Sequence, residues 1–92
     1  MKTVWKYELD IVDEPQNRPM PHGASLLAVA VQGDRLCVWA EVNPRYKLQD
    51  RWFVVEGTGH PLRNAADYVG SALMAGGALV WHVYELVTAE AR

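Results

Sequence analysis

The sequence predicts an all-β fold, a small antiparallel barrel or a two-layer sandwich of about six strands with two tight hairpins. Short runs rich in Val, Leu, Trp and Tyr recur along the chain, and glycine-containing turn signals separate them. Two of these signals, Gly33-Asp34 and Gly76-Gly77, suit the two-residue loop of a β-hairpin. A barrel or a sandwich is favoured because either gives each strand a buried face and limits exposed edges.

The N-terminal run is predicted as the first strand. Residues 3–9 alternate, with Trp5, Tyr7 and Leu9 on one face and the more polar side chains on the other. Residues 10–23 follow with three prolines and no sustained periodicity, and proline cannot donate a hydrogen bond to a strand ladder. We therefore expect residues 10–23 to form the longest irregular connection.

The middle of the chain predicts a hairpin and a further strand. Residues 26–31 and 36–42 flank Gly33-Asp34 as the two hairpin strands. The second of them is apolar on both faces, which is typical of the middle of a sheet. Residues 51–56 are rich in aromatic and β-branched side chains and predict the fourth strand.

The C-terminal part predicts a second hairpin, formed by residues 68–75 and 78–86 around Gly76-Gly77. The composition after Asp67 also fits a short helix. Gly70 would weaken the interior of such a helix, so the hairpin is the preferred prediction.

Composition limits the classes of function. The 92 residues predict one domain, residues 1–92, and the net charge of −2 lacks the positive field used in sequence-independent nucleic-acid binding. The single cysteine, Cys37, cannot form an internal disulfide, which predicts a reducing compartment and therefore the cytoplasm. No run approaches the roughly 18 apolar residues of a membrane span, and we expect neither export nor membrane insertion.

One loop is a candidate ligand-binding site. In Gly57-Thr58-Gly59-His60, glycines at alternate positions permit positive φ, so that successive N–H groups can point into one concavity and bind an anion. Arg63 lies within reach and would add a positive charge. The alternative is a purely structural turn, and the pattern lacks the lysine and the following helix of a phosphate-binding loop.

Metal binding and catalysis are not expected. His22, His60, His82 and Cys37 do not have the short spacings by which structural zinc sites are recognised, so we predict no metal and no cofactor. A nucleophilic arrangement of Cys37, His82 and Asp67 is conceivable, but no motif fixes its geometry. The protein is therefore predicted not to be an enzyme.

The tryptophans offer a second kind of candidate site. All four lie in predicted strands and are most simply core residues, but exposed aromatic side chains also anchor partners. Trp39 and Trp81 are the candidates for an interface. Single-stranded nucleic-acid binding on an aromatic sheet face is a further alternative, and it would require four basic residues to converge: Arg45, Lys47, Arg51 and Arg63.

Four segments carry a resemblance to a known family. WKYEL (residues 5–9), LCVWAEVN (36–43), EGTGHPL (56–62) and YVG followed by GGALVWHVYEL (68–70 and 76–86) resemble proteins of about this length that are encoded in phage and prophage genomes and known chiefly as a domain of unknown function. The resemblance spans nearly the whole chain and brings no functional residues. It implies a small accessory protein that binds something in the host, including proteins that inhibit or absorb signals of bacterial defence.

Two functional hypotheses follow. The first is a non-enzymatic interaction protein that binds a host protein or assembles into a homo-oligomer, because a chain this short cannot easily bury so high an apolar fraction. The second is a small-molecule binder in which residues 57–60 hold an anionic group such as a nucleotide phosphate.

Overall fold

The computed structural model describes residues 1–63 and 66–87. Within them the chain forms nine β-strands, and a single 3-10 turn at Ala75–Gly77 is the only helical segment of this part of the chain. The strands are β1 (Thr3–Leu9), β2 (Gln16–Asn17), β3 (Met20–Pro21), β4 (Ser25–Gln32), β5 (Arg35–Val42), β6 (Leu48–Gln49), β7 (Trp52–Gly57), β8 (Ala66–Met74) and β9 (Leu79–Leu86).

The strands form three antiparallel sheets, in the orders β1-β5-β4, β2-β7-β9-β8 and β3-β6. The all-β prediction is confirmed, and the architecture is consistent with the sandwich alternative, because none of the sheets formed by the described residues closes into a barrel. The six longer strands correspond to the six predicted ones, and each of the other three has two residues. The three-stranded and four-stranded sheets pack where their edge strands β4 and β8 meet.

The core lies between these two sheets. Alternation along each strand turns one apolar face inward, and Val38 of β5 and Phe53 of β7 are completely buried. Full burial of a side chain of this kind contributes about 1.5–3 kcal/mol relative to its exposure. The other members of the buried cluster are Leu9, Met20, Ala24, Leu36, Ala40, Val42, Val55, Ala72 and Val83.

The first predicted hairpin is confirmed. β4 and β5 are joined by Gly33 and Asp34, with Gln32 opposite Arg35. Gly33 has φ 64° while Asp34 has negative φ, which matches a type II′ rather than a type I′ turn. β5 is the middle strand of its sheet, as its two apolar faces predict.

The second hairpin is present, but its predicted two-residue loop at Gly76-Gly77 is wrong. Residues 75–78 join β8 to β9, and the N–H of Ala78 donates to the carbonyl of Ala75. Positive φ at Ala75, Gly76 and Gly77 turns the chain over a longer path than a two-residue loop. The strand prediction for residues 68–75, against the helix alternative, is confirmed apart from Ala75, which belongs to the turn.

The prediction of an irregular connection at residues 10–23 is wrong in part. This segment contains β2 and β3, and Met20 is completely buried in the core. Pro21 lies in β3 without disturbing the pairing, because the neighbouring His22 donates its N–H to the carbonyl of Lys47. Two-residue strands are too short to produce a period in the sequence, so periodicity could not reveal them.

Candidate functional site

The surface of the four-stranded sheet that faces away from the core, here called the outer face, carries the most organised group of polar side chains. It is exposed along β8, whereas Val54 and Glu56 of β7 are buried on it. Cross-strand pairing sets its rows, because residues directly opposite each other point to the same side of a sheet. The rows are Val54 with Tyr84 and Tyr68, Glu56 with His82 and Ser71, and Val80 with Leu73.

A β-bulge builds this face. The pairing of β8 with β9 shifts at Val69, between the pairs Tyr68–Tyr84 and Gly70–Val83. In a regular strand Tyr68 and Ser71, three residues apart, would point to opposite sides. The extra residue brings both to the outer face, where the Tyr68 hydroxyl lies 2.8 Å from Ser71 Oγ.

The hydrogen bonds continue from Ser71 across the sheet. Ser71 Oγ lies 2.8 Å from Nδ1 of His82, and Nε2 of the same ring lies 2.9 Å from Thr58 Oγ1. Both ring nitrogens of His82 thus have a hydroxyl partner, and a hydroxyl can donate or accept to suit either tautomer. We call these four residues the hydroxyl–imidazole chain; it fixes the orientation of every side chain in it.

The chain ends in an exposed aromatic residue. Tyr68 is 61% exposed, yet its hydroxyl is bonded to Ser71 and its ring contacts Tyr84 edge to face, with centroids 5.4 Å apart. Leu73 is 63% exposed on the same face of β8, and Trp52 is partly exposed at the start of β7. The outer face therefore presents apolar surface whose most prominent ring is held in place.

The predicted ligand loop is a tight turn. The N–H of His60 donates to the carbonyl of Gly57, and Gly59 has φ 90°, as the third position of a type II turn requires. The expectation of positive φ is correct for Gly59 and wrong for Gly57, which ends β7. The Thr58 hydroxyl is directed to His82 rather than into the loop.

His60 and Arg63 do lie together, in an open hollow of about 380 Å³. Its lining also includes Asp13 and Glu56, and Arg63 donates to the Asp13 carbonyl while its Nε lies 4.0 Å from the Glu56 carboxylate. Two carboxylates accompany one guanidinium here, so the local charge does not favour an anion. Because the His60 N–H closes the turn, it is also not free to bind one.

The two candidate interface tryptophans lie in different environments. Trp39 is half-buried on the outer side of the three-stranded sheet, opposite Lys6 and Ala28. Trp81 packs against the core, and its indole N–H is buried without a hydrogen-bond partner among the described residues. Both side chains are half-buried, but Trp39 faces away from the core whereas Trp81 packs against it.

Arg51 and Arg63, two of the four basic residues that would have to converge, lie far apart. Arg51 precedes β7 and is ion-paired with Glu85, whereas Arg63 follows the turn at the other end of that strand, roughly 20 Å away for a strand of this length. The hydrogen bond to Glu85 raises the pKa of Arg51 above its usual value, and burial opposes this. Arg51 also donates to the carbonyl of Ala24, so it holds the two sheets together rather than facing solvent.

A second hollow, of about 270 Å³, lies next to this ion pair. Its lining mixes charges of both signs, including His22, Asp50 and Asp67 beside Arg51 and Glu85. The guanidinium edge of Arg51 that faces Glu85 donates from both Nε and Nη2 to the carboxylate, and Nη1 donates to the Ala24 carbonyl. The hollow therefore has no unbonded cluster of one charge that would select a ligand.

The conceivable nucleophilic arrangement is not assembled. Cys37 is completely buried in the three-stranded sheet, whereas His82 lies on the outer face of the four-stranded sheet, on the far side of the core. Among residues 1–63 and 66–87, no group of three or more His, Cys, Asp or Glu side chains is arranged to hold a metal ion.

Sequence reasoning missed Tyr68 and Ser71. The one signal that could have found them is Gly70, because an isolated glycine within a strand pattern often marks a bulge. A bulge beside Gly70 would have predicted Tyr68 and Ser71 on one face, with His82 of the neighbouring strand on the same face.

Comparison with known proteins places the chain in a family. In the part of the chain that the structure describes, no helix is long and apolar enough to cross a membrane. Neither the curated proteins nor the solved structures contain a significant match to the sequence. A family match covers residues 1–92, and the chain belongs to the family described as "Domain of unknown function (DUF7352)".

Proposed function

We propose that the protein is a non-enzymatic binding protein that docks a partner protein on the outer face. The observation that carries this proposal is the exposed Tyr68, whose hydroxyl is hydrogen-bonded to Ser71 and whose ring packs edge to face against Tyr84. Binding normally costs about 0.5–1.5 kcal/mol for each flexible side chain that it immobilises, and Tyr68 is already ordered. Tyrosine is also among the residues that most often dominate binding energy at protein interfaces.

The chemistry of the face indicates the kind of partner. Leu73 and Tyr68 are the most exposed side chains of the face, and the carboxylate of Glu56 is nearly buried within it. No Lys or Arg belongs to the described rows of this face. An apolar protein surface with a few hydrogen-bonding groups fits these features, whereas a nucleic-acid backbone would require positive charge.

The setting belongs to the same proposal. The resemblance to phage-encoded and prophage-encoded proteins supports a host protein as the partner and the host cytoplasm as the location. Interference with bacterial defence is one role that such binding would serve. An anionic small molecule at residues 57–60 is less well supported, because Asp13 and Glu56 line that hollow.

The test compares two exposed tyrosines. Tyr68 is 61% exposed on the outer face and Tyr46 is 56% exposed in the connection after β5, so Tyr46→Ala is a matched control for Tyr68→Ala. The wild type and both variants are attached to a resin and incubated with lysate of the proposed bacterial host. We expect one set of proteins to be retained by the wild type and by Tyr46→Ala and lost with Tyr68→Ala.

Calorimetry with the purified partner then measures the affinity. Tyr68→Ala should weaken binding by about 10- to 100-fold, which corresponds to about 1.4–2.8 kcal/mol. Tyr68→Phe keeps the ring but breaks the bond to Ser71, and it should weaken binding less than Tyr68→Ala does. Equal capture and equal affinity for all variants would show that the outer face is not the binding surface.

A further inference from the structure

β1 is an edge strand whose outward side is only half covered. It pairs with β5 alone, so every second residue points its N–H and C=O away from the sheet. The carbonyl of Glu8 is one of these outward groups, because it accepts a hydrogen bond from Arg18 Nε rather than from β5. Val4 and Lys6 have the same parity as Glu8, so their backbone groups also point outward.

Side chains cover the C-terminal half of this edge. Gln16 accepts from the N–H of Asp10 and donates to its carbonyl, so one side-chain amide pairs with Asp10 as a neighbouring strand would. Arg18 covers the Glu8 carbonyl and also donates to the Gln16 side chain. Covering an edge in this way is a known defence against unwanted pairing.

The N-terminal half of the edge has no such cover. No hydrogen bond involves the backbone of Val4 or Lys6 on this side among the described residues. Val4 is 53% exposed and Trp5 is 39% exposed, so apolar surface accompanies the unpaired backbone. An exposed strand edge with apolar side chains is a template for another strand.

The sequence of β1 is complementary to itself in one antiparallel register. With Trp5 opposite Trp5 of a second copy, Val4 lies opposite Lys6 and Lys2 lies opposite Glu8. This register joins opposite charges and places two aromatic rings side by side, and both kinds of pair stabilise a sheet. It also draws most of its backbone hydrogen bonds from the open residues Val4 and Lys6.

The neighbouring registers are worse. Centring the pair on Lys6 places two lysines opposite each other, and like charges in that position are destabilising. Centring it on Tyr7 pairs Val4 with Asp10, whose N–H and C=O are already taken by Gln16. Like-charge repulsion disfavours the first alternative and the cover at Asp10 disfavours the second, which leaves the register centred on Trp5.

We propose that two copies of this protein associate through β1, antiparallel and centred on Trp5, to join their three-stranded sheets into one continuous sheet. This interface is separate from the outer face and does not depend on the function proposed for that face. The contact is small, so association should be weak and dependent on concentration, as at the lower end of specific interfaces. Sedimentation across the micromolar to millimolar range should show a monomer–dimer equilibrium.

A proline at Val4 tests the backbone contact. Its N–H points away from β5, so Val4→Pro removes a donor that the monomer does not use, and proline is tolerated on edge strands. We expect Val4→Pro to weaken dimerisation by at least about tenfold, the loss of one to two hydrogen bonds. Val4→Thr keeps the N–H and is the matched control; it should dimerise as the wild type does.

A charge exchange tests the register, even if the proline variant is poorly folded. Lys2, which immediately precedes β1, and Glu8 lie roughly 20 Å apart in one copy if the extended backbone continues to Lys2. A dependence of one substitution's effect on the other would therefore arise across the interface. Lys2→Glu and Glu8→Lys should each weaken dimerisation several-fold, and the double variant should restore it.

Amide hydrogen exchange supplies an independent readout. Protection of the Val4 and Lys6 amides should rise with protein concentration, while that of exposed loop amides stays constant. A monomer at every concentration, or a dimer unaffected by Val4→Pro and by the charge exchange, would overturn the proposal.

Discussion

The two larger sheets have edge strands, β8 and β1, with different structures. The edge of β8 is bulged at Val69 and packs against β4, with Gly70 so close to Val29 that an added Cβ would lie 2.8 Å from its Cγ2. The edge of β1 is straight, and side chains of the 10–23 segment cover only half of it.

This difference separates two ways of using an edge. The bulge in β8 interrupts its regular pairing with β9 and places Tyr68 and Ser71 on the same face. On that face β8 therefore offers side chains to a partner. β1 has no bulge, so its outward N–H and C=O groups are regularly spaced and can form hydrogen bonds with another strand. The β8 edge therefore suits side-chain recognition, and the β1 edge suits strand addition.

The largest expected effect comes from filling the space at Gly70. Gly70→Ala places a methyl group against Val29 Cγ2 and Cβ, and overpacking of this kind costs about 1–3 kcal/mol of unfolding free energy. Gly57→Ala is the matched control, because its nearest neighbour is the movable His60 ring at 3.3 Å. Urea denaturation should show a clearly larger loss for Gly70→Ala.

The Gly70 effect has its own internal check. If the clash with Val29 causes the loss, Gly70→Ala combined with Val29→Ala should be more stable than the sum of the two single effects predicts. Strict additivity would mean that the space beside Gly70 does not control the packing of β8 on β4.

Removing the cover from β1 should have the next largest effect. Gln16 is buried and makes two hydrogen bonds to the Asp10 backbone, so Gln16→Ala should cost about 1–3 kcal/mol. It should also strengthen self-association in sedimentation, because the freed Asp10 groups permit the register centred on Tyr7. Gln32→Ala, which removes one exposed bond to Lys6, is the control and should change neither property measurably.

Breaking the hydroxyl–imidazole chain should have a smaller effect on stability. Ser71→Ala removes the partners of the Tyr68 hydroxyl and of His82 Nδ1, at a cost of about 1 kcal/mol. Ser25→Ala, an exposed serine of β4, is the control and should be near neutral. If Ser71→Ala binds a partner as tightly as the wild type does, the ordering of Tyr68 contributes nothing to recognition.

The sequence predicted strands wherever alternation was long enough to be seen. Residues 3–9 and the hairpin at Gly33-Asp34 were predictable because period-2 patterning and a glycine turn are local properties. β2 and β3 were not, since their pairing partners Phe53 and Gln49 lie more than 25 residues along the chain. The outer-face site depends on the bulge at Val69, which an alternation pattern does not reveal. The sequence therefore predicted the loop at residues 57–60 as the site and not Tyr68.

The smallest expected effect concerns Tyr7, whose side chain packs against the core. Its hydroxyl is buried without a hydrogen-bond partner among the described residues. Burial raises the pKa of this phenol above its usual value, and the positive charge of Arg51 opposes the shift. Tyr7→Phe removes an unsatisfied group, so the variant should be as stable as the wild type or more stable by up to about 1 kcal/mol at neutral pH.

The sign of its pH dependence follows from the raised pKa. The folded state favours the neutral phenol. The stability that comes from this preference is fully present below the unfolded-state pKa of about 10, and it is lost as pH rises through the higher pKa of the folded state. The wild type should therefore lose stability relative to Tyr7→Phe above about pH 10, while the difference between them stays constant from pH 6 to 9. Urea denaturation of both proteins at pH 8 and pH 11 measures this, and a Tyr7→Phe variant that is clearly less stable at pH 8 would show that the hydroxyl has a partner.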